Sequence, residues 1–229
     1  MASTLTDQAY HGLRRKLATG ALRAGQRIVN RTVSKELNVS QTPLREAINR
    51  LASEGVVEYV PGAGAFVRTV SLQDLLQLYD VRELVEPFAA ERAARHATDG
   101  ELAEMQAICD DWRAIAGRLR DRGGAVGPDD LARWNDNEER FHGLLLAASR
   151  NHWLVTVAGN LRMLSVAFAV QRQHPHLLTP RGAAVTWREH VRIVRALRAR
   201  DGDAAMRAMR QHVRNGRTHV LTALGGGGR

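Results

Sequence analysis

The sequence predicts a mainly α protein: an N-terminal winged helix-turn-helix followed by a C-terminal all-α helical bundle. Three observations carry that expectation. Aromatic residues are only 5% of the 229 residues while Ala, Leu and Arg recur throughout, which favours helices over a β-sandwich. Two short helical patterns near the N-terminus are followed by two brief β-branched runs around the tight turn P-G-A-G. From about residue 72 to 222 only helical patterns occur, separated by short breaker clusters. With 44% hydrophobic and 25% charged residues the composition excludes wholesale disorder. The single cysteine, Cys109, excludes an internal disulfide and a cysteine-rich zinc module. The longest apolar stretch, Leu154 to Val170, is interrupted by Asn160 and Arg162, so no membrane span is expected. The opening MASTLTDQAYHGLRRK has no unbroken apolar core and no cleavage-site pattern, so a cytoplasmic protein is expected.

Leu5, Ala9, Leu13 and Leu17 place apolar residues on one helical face, and Gly20 stops that helix. A short helix is expected over Thr32–Leu37, and a second over Pro43–Glu54, ended by Gly55. Ser40 or Thr42 can cap the second, and Pro43 suits a first turn, where its missing N–H costs nothing. Strands are expected over Val56–Val60 and Ala65–Val70. Ser71 is placed to start the next helix, so the expected domains are residues 1–70, a winged helix-turn-helix, and 71–222, a bundle for effector binding and dimerisation. Residues 223–229 read as a flexible tail. The bundle helices are expected at roughly 72–97, 99–122, 128–149, 151–172, 181–200 and 202–222, a set large enough to enclose a pocket.

Charge points to a partner for the head. The chain carries +9, and residues 1–70 hold 10 Lys/Arg against 5 Asp/Glu, while the remaining 159 hold 23 against 19. A basic small domain on a near-balanced larger one fits a polyanion-binding head. Because 31 of the 33 basic residues are arginine, a genome-wide compositional bias is an alternative. In a helix-turn-helix the second helix enters the major groove and its first turns reach base edges. Here that turn reads Ser40-Gln41-Thr42-Pro43-Leu44-Arg45. Arg forks onto guanine and Gln onto adenine, and Ser and Thr hold phosphate. Leu44, Ala47, Ile48 and Leu51 form the inward face, leaving Gln41, Arg45 and Asn49 on an outward stripe; Asn49 and Arg50, further along, suit surface or backbone contacts. Gly62 and Gly64 allow the wing backbone to approach a groove closely.

The run V-S-K-E-L-N-V-S-Q-T-P-L-R-E-A-I-N-R-L-A-S-E-G-V-V, followed by P-G-A-G-A-F-V, resembles the winged helix of the GntR family. With the helical body it is similar to the FadR subfamily, whose C-terminal effector domain is called FCD. The resemblance spans nearly the whole chain. It implies a homodimer on a double-stranded inverted-repeat operator, with DNA-contacting positions mapping to Arg31, Gln41, Arg45 and Gly62. Many members carry Arg where this chain has Gln41, and a basic wing residue where it has Ala63.

In the body, Glu138 and His142 are four apart and share a helix face. His190 and His212 flank the R-D-G-D turn, each eleven residues from Asp201, so an antiparallel hairpin brings them to one depth. One carboxylate and three imidazoles suit a divalent transition metal, zinc or nickel foremost, with room for water or a bound carboxylate; histidines aligned by chance in a core are the alternative. His174 and His176 form a weaker H-P-H signal. Metal-binding FCD domains carry an acidic residue four before a His, then two further His, and E-E-R-F-H, R-E-H and M-R-Q-H match with Glu138 in place of the usual Asp. The resemblance also sets Arg82 near the effector pocket, where it can pair a ligand carboxylate; an i,i+4 ion pair with Glu86 is the alternative. Cys109, Trp134, Trp153 and Trp187 read as packing residues.

The function expected from these features is a DNA-binding transcription regulator, not an enzyme, modulated by a small carboxylate metabolite at the metal site. The family resemblance implies ligand-relieved repression as the commoner polarity. Two alternatives remain open, a metal-dependent hydrolase tethered to DNA and a regulator that senses the metal itself. Against the hydrolase, no second general base or nucleophile motif lies near the ligands by spacing.

Overall fold

The structure, a computed structural model, describes residues 4–167 and 178–225. The chain divides into two compact units, the first ending its N-terminal run at Ser71. The described residues form nine α-helices and one two-stranded antiparallel sheet.

The head begins with α1 (Leu5–Ala18), opened by a Thr4–Asp7 capping box. Ala9, Leu13 and Leu17 are buried on its inner face. α2 (Asn30–Glu36) starts two residues earlier than the sequence pattern indicates, and α3 (Gln41–Ser53) likewise. The α3 boundary moves because Ser40 is the N-cap, so Gln41 and Thr42 fill the first turn ahead of Pro43. Proline is still tolerated, because a third-position N–H has no partner within the helix. Gly55, at φ +77°, ends α3, and the Val56 N–H closes back onto the Leu51 carbonyl at 3.0 Å. The wing pairs β1 (Val57–Val60) with β2 (Gly64–Val67) in the register Val57↔Val67 to Val60↔Gly64. An isolated bridge between Arg27 and Phe66 ties the loop after α1 to that hairpin. Leu44, Ala47, Ile48 and Leu51 are fully buried, which fixes the face that α3 turns outward. Each such burial contributes about 1.5–3 kcal/mol for the larger side chains.

The body comprises α4 (Leu72–His96), α5 (Asp99–Asp121), α6 (Pro128–Ala148), α7 (His152–Ala167), α8 (Pro180–Arg198) and α9 (Gly202–Gly225). α9 runs into the expected tail, residues 226–229 of which lie outside the described residues, as do the last five residues of the helix expected over 151–172. Leu102, Met105, Ile108, Cys109, Trp112, Ile115 and Leu119 recur at helical spacing on α5 and are buried against Trp134, Phe141 and Leu145 of α6 and Ile193, Val194 and Leu197 of α8. Buried Asp130 accepts hydrogen bonds from Arg118 and Arg122, at 2.7 and 2.9 Å, and so fixes the start of α6 against the end of α5. The α8–α9 turn places Arg200 at φ +56°, a conformation unfavourable for a side chain with a Cβ. Its guanidinium donates to the Ala97 carbonyl at 2.5 Å, anchoring the hairpin to the end of α4. None of the helices is long and apolar enough, among the described residues, to cross a membrane.

Candidate nucleic-acid interface and metal centre

The head presents Ser40, Gln41, Thr42 and Arg45 as exposed side chains on the first two turns of α3. Arg31 is exposed on α2, and Gly62 is exposed at the tip of the wing. Among the described residues neither Arg31 nor Arg45 has an ion-pair partner within the chain, so both guanidinium groups keep their hydrogen-bonding capacity for an outside acceptor. Gly62 sits at φ +74° with no atom within 4 Å of where a Cβ would be. Glycine is needed there for its backbone conformation rather than for space. Asn49 and Arg50 are occupied within the head. The Tyr59 hydroxyl donates to Asn49 Oδ1 at 2.8 Å, while the Arg50 guanidinium stacks 3.8 Å over the Tyr10 ring and pairs with Glu54. The outward stripe is thereby reduced to Gln41 and Arg45.

The body brings Glu138, His142, His190 and His212 together, with one ligand atom from each lying within 4.8 Å of the others. α6 supplies Glu138 and His142 one turn apart, α8 supplies His190 and α9 supplies His212. His142 Nε2 is 3.4 Å from His190 Nε2 and 3.7 Å from a Glu138 oxygen, and His190 Nε2 is 3.8 Å from the other Glu138 oxygen. The His190 and His212 ring centroids lie 4.4 Å apart, the common depth implied by their equal distance from Asp201. All three imidazoles are buried. Metal bonds of about 2.0–2.2 Å to nitrogen and oxygen set neighbouring ligand atoms roughly 3–3.5 Å apart. The separations among Glu138, His142 and His190, 3.4–3.8 Å, are close to that, the whole set spans no more than 4.8 Å, and a donor set of three nitrogens and one carboxylate suits a first-row divalent ion.

The second nitrogen of each ring supports the same use. His190 Nδ1 lies 2.8 Å from the Thr186 carbonyl oxygen, so it carries the proton and leaves Nε2 facing the cluster. His212 Nδ1 lies 2.9 Å from Glu189 Oε2, and His142 Nδ1 lies 3.6 Å from Glu86 Oε2. A wall of aromatic rings closes one side: Trp112 lies tilted against His190 with centroids 4.1 Å apart, and Phe141 meets it edge-on at 4.6 Å.

Arg82 is buried beside this centre, donating from Nε to Glu86 Oε1 at 2.5 Å and lying over the Tyr79 ring at 4.7 Å. Burial disfavours its charge, but the adjacent Glu86 carboxylate outweighs that and raises its pKa above the ordinary arginine value. The i,i+4 pair is thus made, and through Glu86 it reaches His142.

The sequence did not single out Glu86 as a neighbour of His142, nor Thr186, Glu189 and Trp112 as neighbours of the other ligands. Glu189 beside His190 was the one local sign. Cys109 is fully buried, and burial pushes its thiol up to about 12, so it is unreactive packing. Trp134 is buried, but Trp153 is 68% exposed and does not pack as expected, because α7 turns it outward. His174 and His176 lie outside the described residues.

Residues 5–67 match the family described as bacterial regulatory proteins, gntR family, and residues 77–215 match the FCD domain. The chain is 28% identical to the HTH-type transcriptional repressor RspR of Escherichia coli (strain K12) over 209 residues, 91% of this chain and 86% of that protein. It is 32% identical to the Nta operon transcriptional regulator of Aminobacter aminovorans over 58% of each chain. Among solved structures, E. coli McbR/YncC has a TM-score of 0.82 at 20% identity, covering 98% of this chain and all of that one. A GntR regulator from Rhodococcus sp. RHA1 has a TM-score of 0.72, also at 20% identity, over 95% and 98% of the two chains. A winged helix covered by the first match, followed by an all-helical domain covered by the second, identifies the chain as a DNA-binding transcriptional regulator of the GntR family with an FCD domain.

Proposed function

We propose that this regulator binds an inverted-repeat operator as a homodimer and that a small organic acid, held at a divalent metal in the body, modulates that binding. The observation that carries the proposal is the buried cluster of Glu138, His142, His190 and His212, with the far nitrogen of every imidazole turned towards an oxygen. A divalent ion bound there would offer open coordination positions to a ligand carboxylate. Arg82, which holds Glu86 through Nε, would present its remaining N–H groups to the same anion. The ligand relieves repression in this reading of the protein, in keeping with the relative named a transcriptional repressor. The effector shifts operator binding only if it favours one dimer geometry over another. Titrating operator binding with metal alone, and then with metal plus di- and tricarboxylates, tests this. A response to carboxylate only in the metal-loaded protein supports it. A full response to metal alone would favour a metal sensor instead.

In the head, Arg45 and Gln41 are proposed to read base edges. Ser40 and Thr42 hold backbone phosphate, Arg31 adds a cation, and Gly62 brings the wing backbone against a groove. Arg45→Ala is expected to cost about 1–3 kcal/mol of discrimination at one base step, roughly a 5- to 150-fold loss. Competition between operator and scrambled duplexes measures it; equal losses on both would reassign Arg45 to the phosphate backbone.

For the dimer, α4 exposes Val81, Leu84 and Phe88 at positions i, i+3 and i+7, with Leu84 72% exposed. Leu84→Asp is expected to shift the particle from dimer to monomer in sedimentation and to weaken operator binding with it. A dimer unaffected by this change would place the interface elsewhere.

A further inference from the structure

We infer that Glu189 is a positioning residue for the metal centre: it orients His212 as a ligand and is itself held by Asn215. The inference rests on a metal being bound by the four-residue cluster proposed above.

Glu189 and His190 are consecutive on α8, so their side chains leave the helix about 100° apart. His190 faces the cluster directly. Glu189, 7% exposed, instead crosses to α9, where Oε2 accepts from His212 Nδ1 at 2.9 Å. That hydrogen bond fixes the tautomer, leaving His212 Nε2 with its lone pair for the cluster. Asn215 lies three residues after His212 on the same face of α9 and donates from Nδ2 to Glu189 Oε1. The orientation of the Asn215 amide is fixed in turn, because its Oδ1 accepts from Gln211 Nε2 at 2.7 Å. Gln211, Asn215, Glu189 and His212 therefore form one chain of hydrogen bonds ending at a metal-facing nitrogen.

The charge balance points the same way. Among the described residues Glu189 has no lysine or arginine within ion-pair distance; its charged-group contact is His212. Glu86, the other carboxylate behind the cluster, is neutralised by Arg82 at 2.5 Å. A buried carboxylate served only by an amide and an imidazole is costly unless positive charge arrives at the far side of that imidazole. A dication on His212 supplies it, so Glu189 strengthens ligation electrostatically as well as by orientation.

The test is cobalt(II) binding to the full-length wild type, Glu189→Gln and Asn215→Ala, followed by competition with a chromophoric chelator and by the visible absorption of the bound ion. Melting of the metal-free proteins serves as the control. Glu189→Gln is expected to bind about 10- to 100-fold more weakly, as other losses of an outer partner do, with a shifted cobalt band and a metal-free melting temperature that does not fall, since the variant removes a buried charge. Asn215→Ala is expected to lose several-fold, because Glu189 remains but is less fixed. Unchanged affinity and spectrum in a folded Glu189→Gln would overturn the positioning role while leaving the metal centre intact. If Glu189→Gln does not fold, Asn215→Ala decides: wild-type affinity there overturns the inference. A wild type that binds no cobalt overturns the metal reading itself, and this inference with it.

Discussion

Stripping the metal proposed at Glu138, His142, His190 and His212 with a chelator is expected to lower the melting temperature of the protein markedly. A ligand that binds only the folded state stabilises it by RT ln(1 + [L]/Kd), which is about 4 kcal/mol at a thousandfold excess over Kd. For a chain of this size each kcal/mol moves the midpoint by roughly 2–4 °C, so a fall of the order of 10 °C is expected. The effect is large because the ligands come from α6, α8 and α9, which the metal would tie together at one point. Thermal melts with chelator, and after restoring zinc, nickel or manganese, measure it. The same melts on His190→Ala should show no metal-dependent gain. A gain that persisted in that variant would mean the ion stabilises the fold from another site.

Arg82→Ala is expected to destabilise the body by about 3–5 kcal/mol, the usual consequence of removing one partner from a buried ion pair. The Glu86 carboxylate, 1% exposed, would be left in the core without the guanidinium that meets it at 2.5 Å. An effector-contacting arginine with no structural duty would behave differently, weakening the ligand response while leaving melting unchanged. The neutral double replacement Arg82→Met/Glu86→Gln separates the two, since removing both charges of a buried pair is often close to neutral. Recovery of melting in the double variant, relative to Arg82→Ala, identifies the pair as the source of the loss. Chemical denaturation of the three proteins gives the comparison. An Arg82→Ala protein as stable as wild type would show that the pair contributes nothing to the fold.

Much of the molecule was legible in the sequence because its signals are local. Gly55 stops α3, the P-G-A-G turn sets the wing, and the breaker clusters bound the body helices to within two residues at every described end except that of α9, which runs three residues further than expected. The outward face of α3 followed from Leu44, Ala47, Ile48 and Leu51, which must point inward if the helix is to pack. The juxtaposition of Glu138, His142, His190 and His212 was legible for a similar reason: i,i+4 spacing fixes Glu138 and His142, and equal distances from Asp201 fix the depth of His190 and His212. Spacing along the chain says nothing of partners across helices. The Tyr59–Asn49 contact withdraws Asn49 from the outward stripe, and the Tyr10 ring holds Arg50, both through packing between elements that no periodicity encodes. Glu86 was visible as a partner for Arg82 but not for His142, because that contact joins α4 to α6. Trp153 was misjudged on residue type alone; large aromatics favour interiors, but α7 turns this one outward.

The FCD body is proposed to hold one divalent metal on Glu138, His142, His190 and His212. Elemental analysis of untagged protein, purified without chelator, tests it most directly. About one metal ion per chain is predicted, falling to none in His190→Ala/His212→Ala while that variant keeps its helical content. No metal in the wild type, even after incubation with zinc, nickel and manganese, would contradict a metal centre in the body and send the search for an effector to ligands that need no metal. The winged helix would still place the protein on DNA.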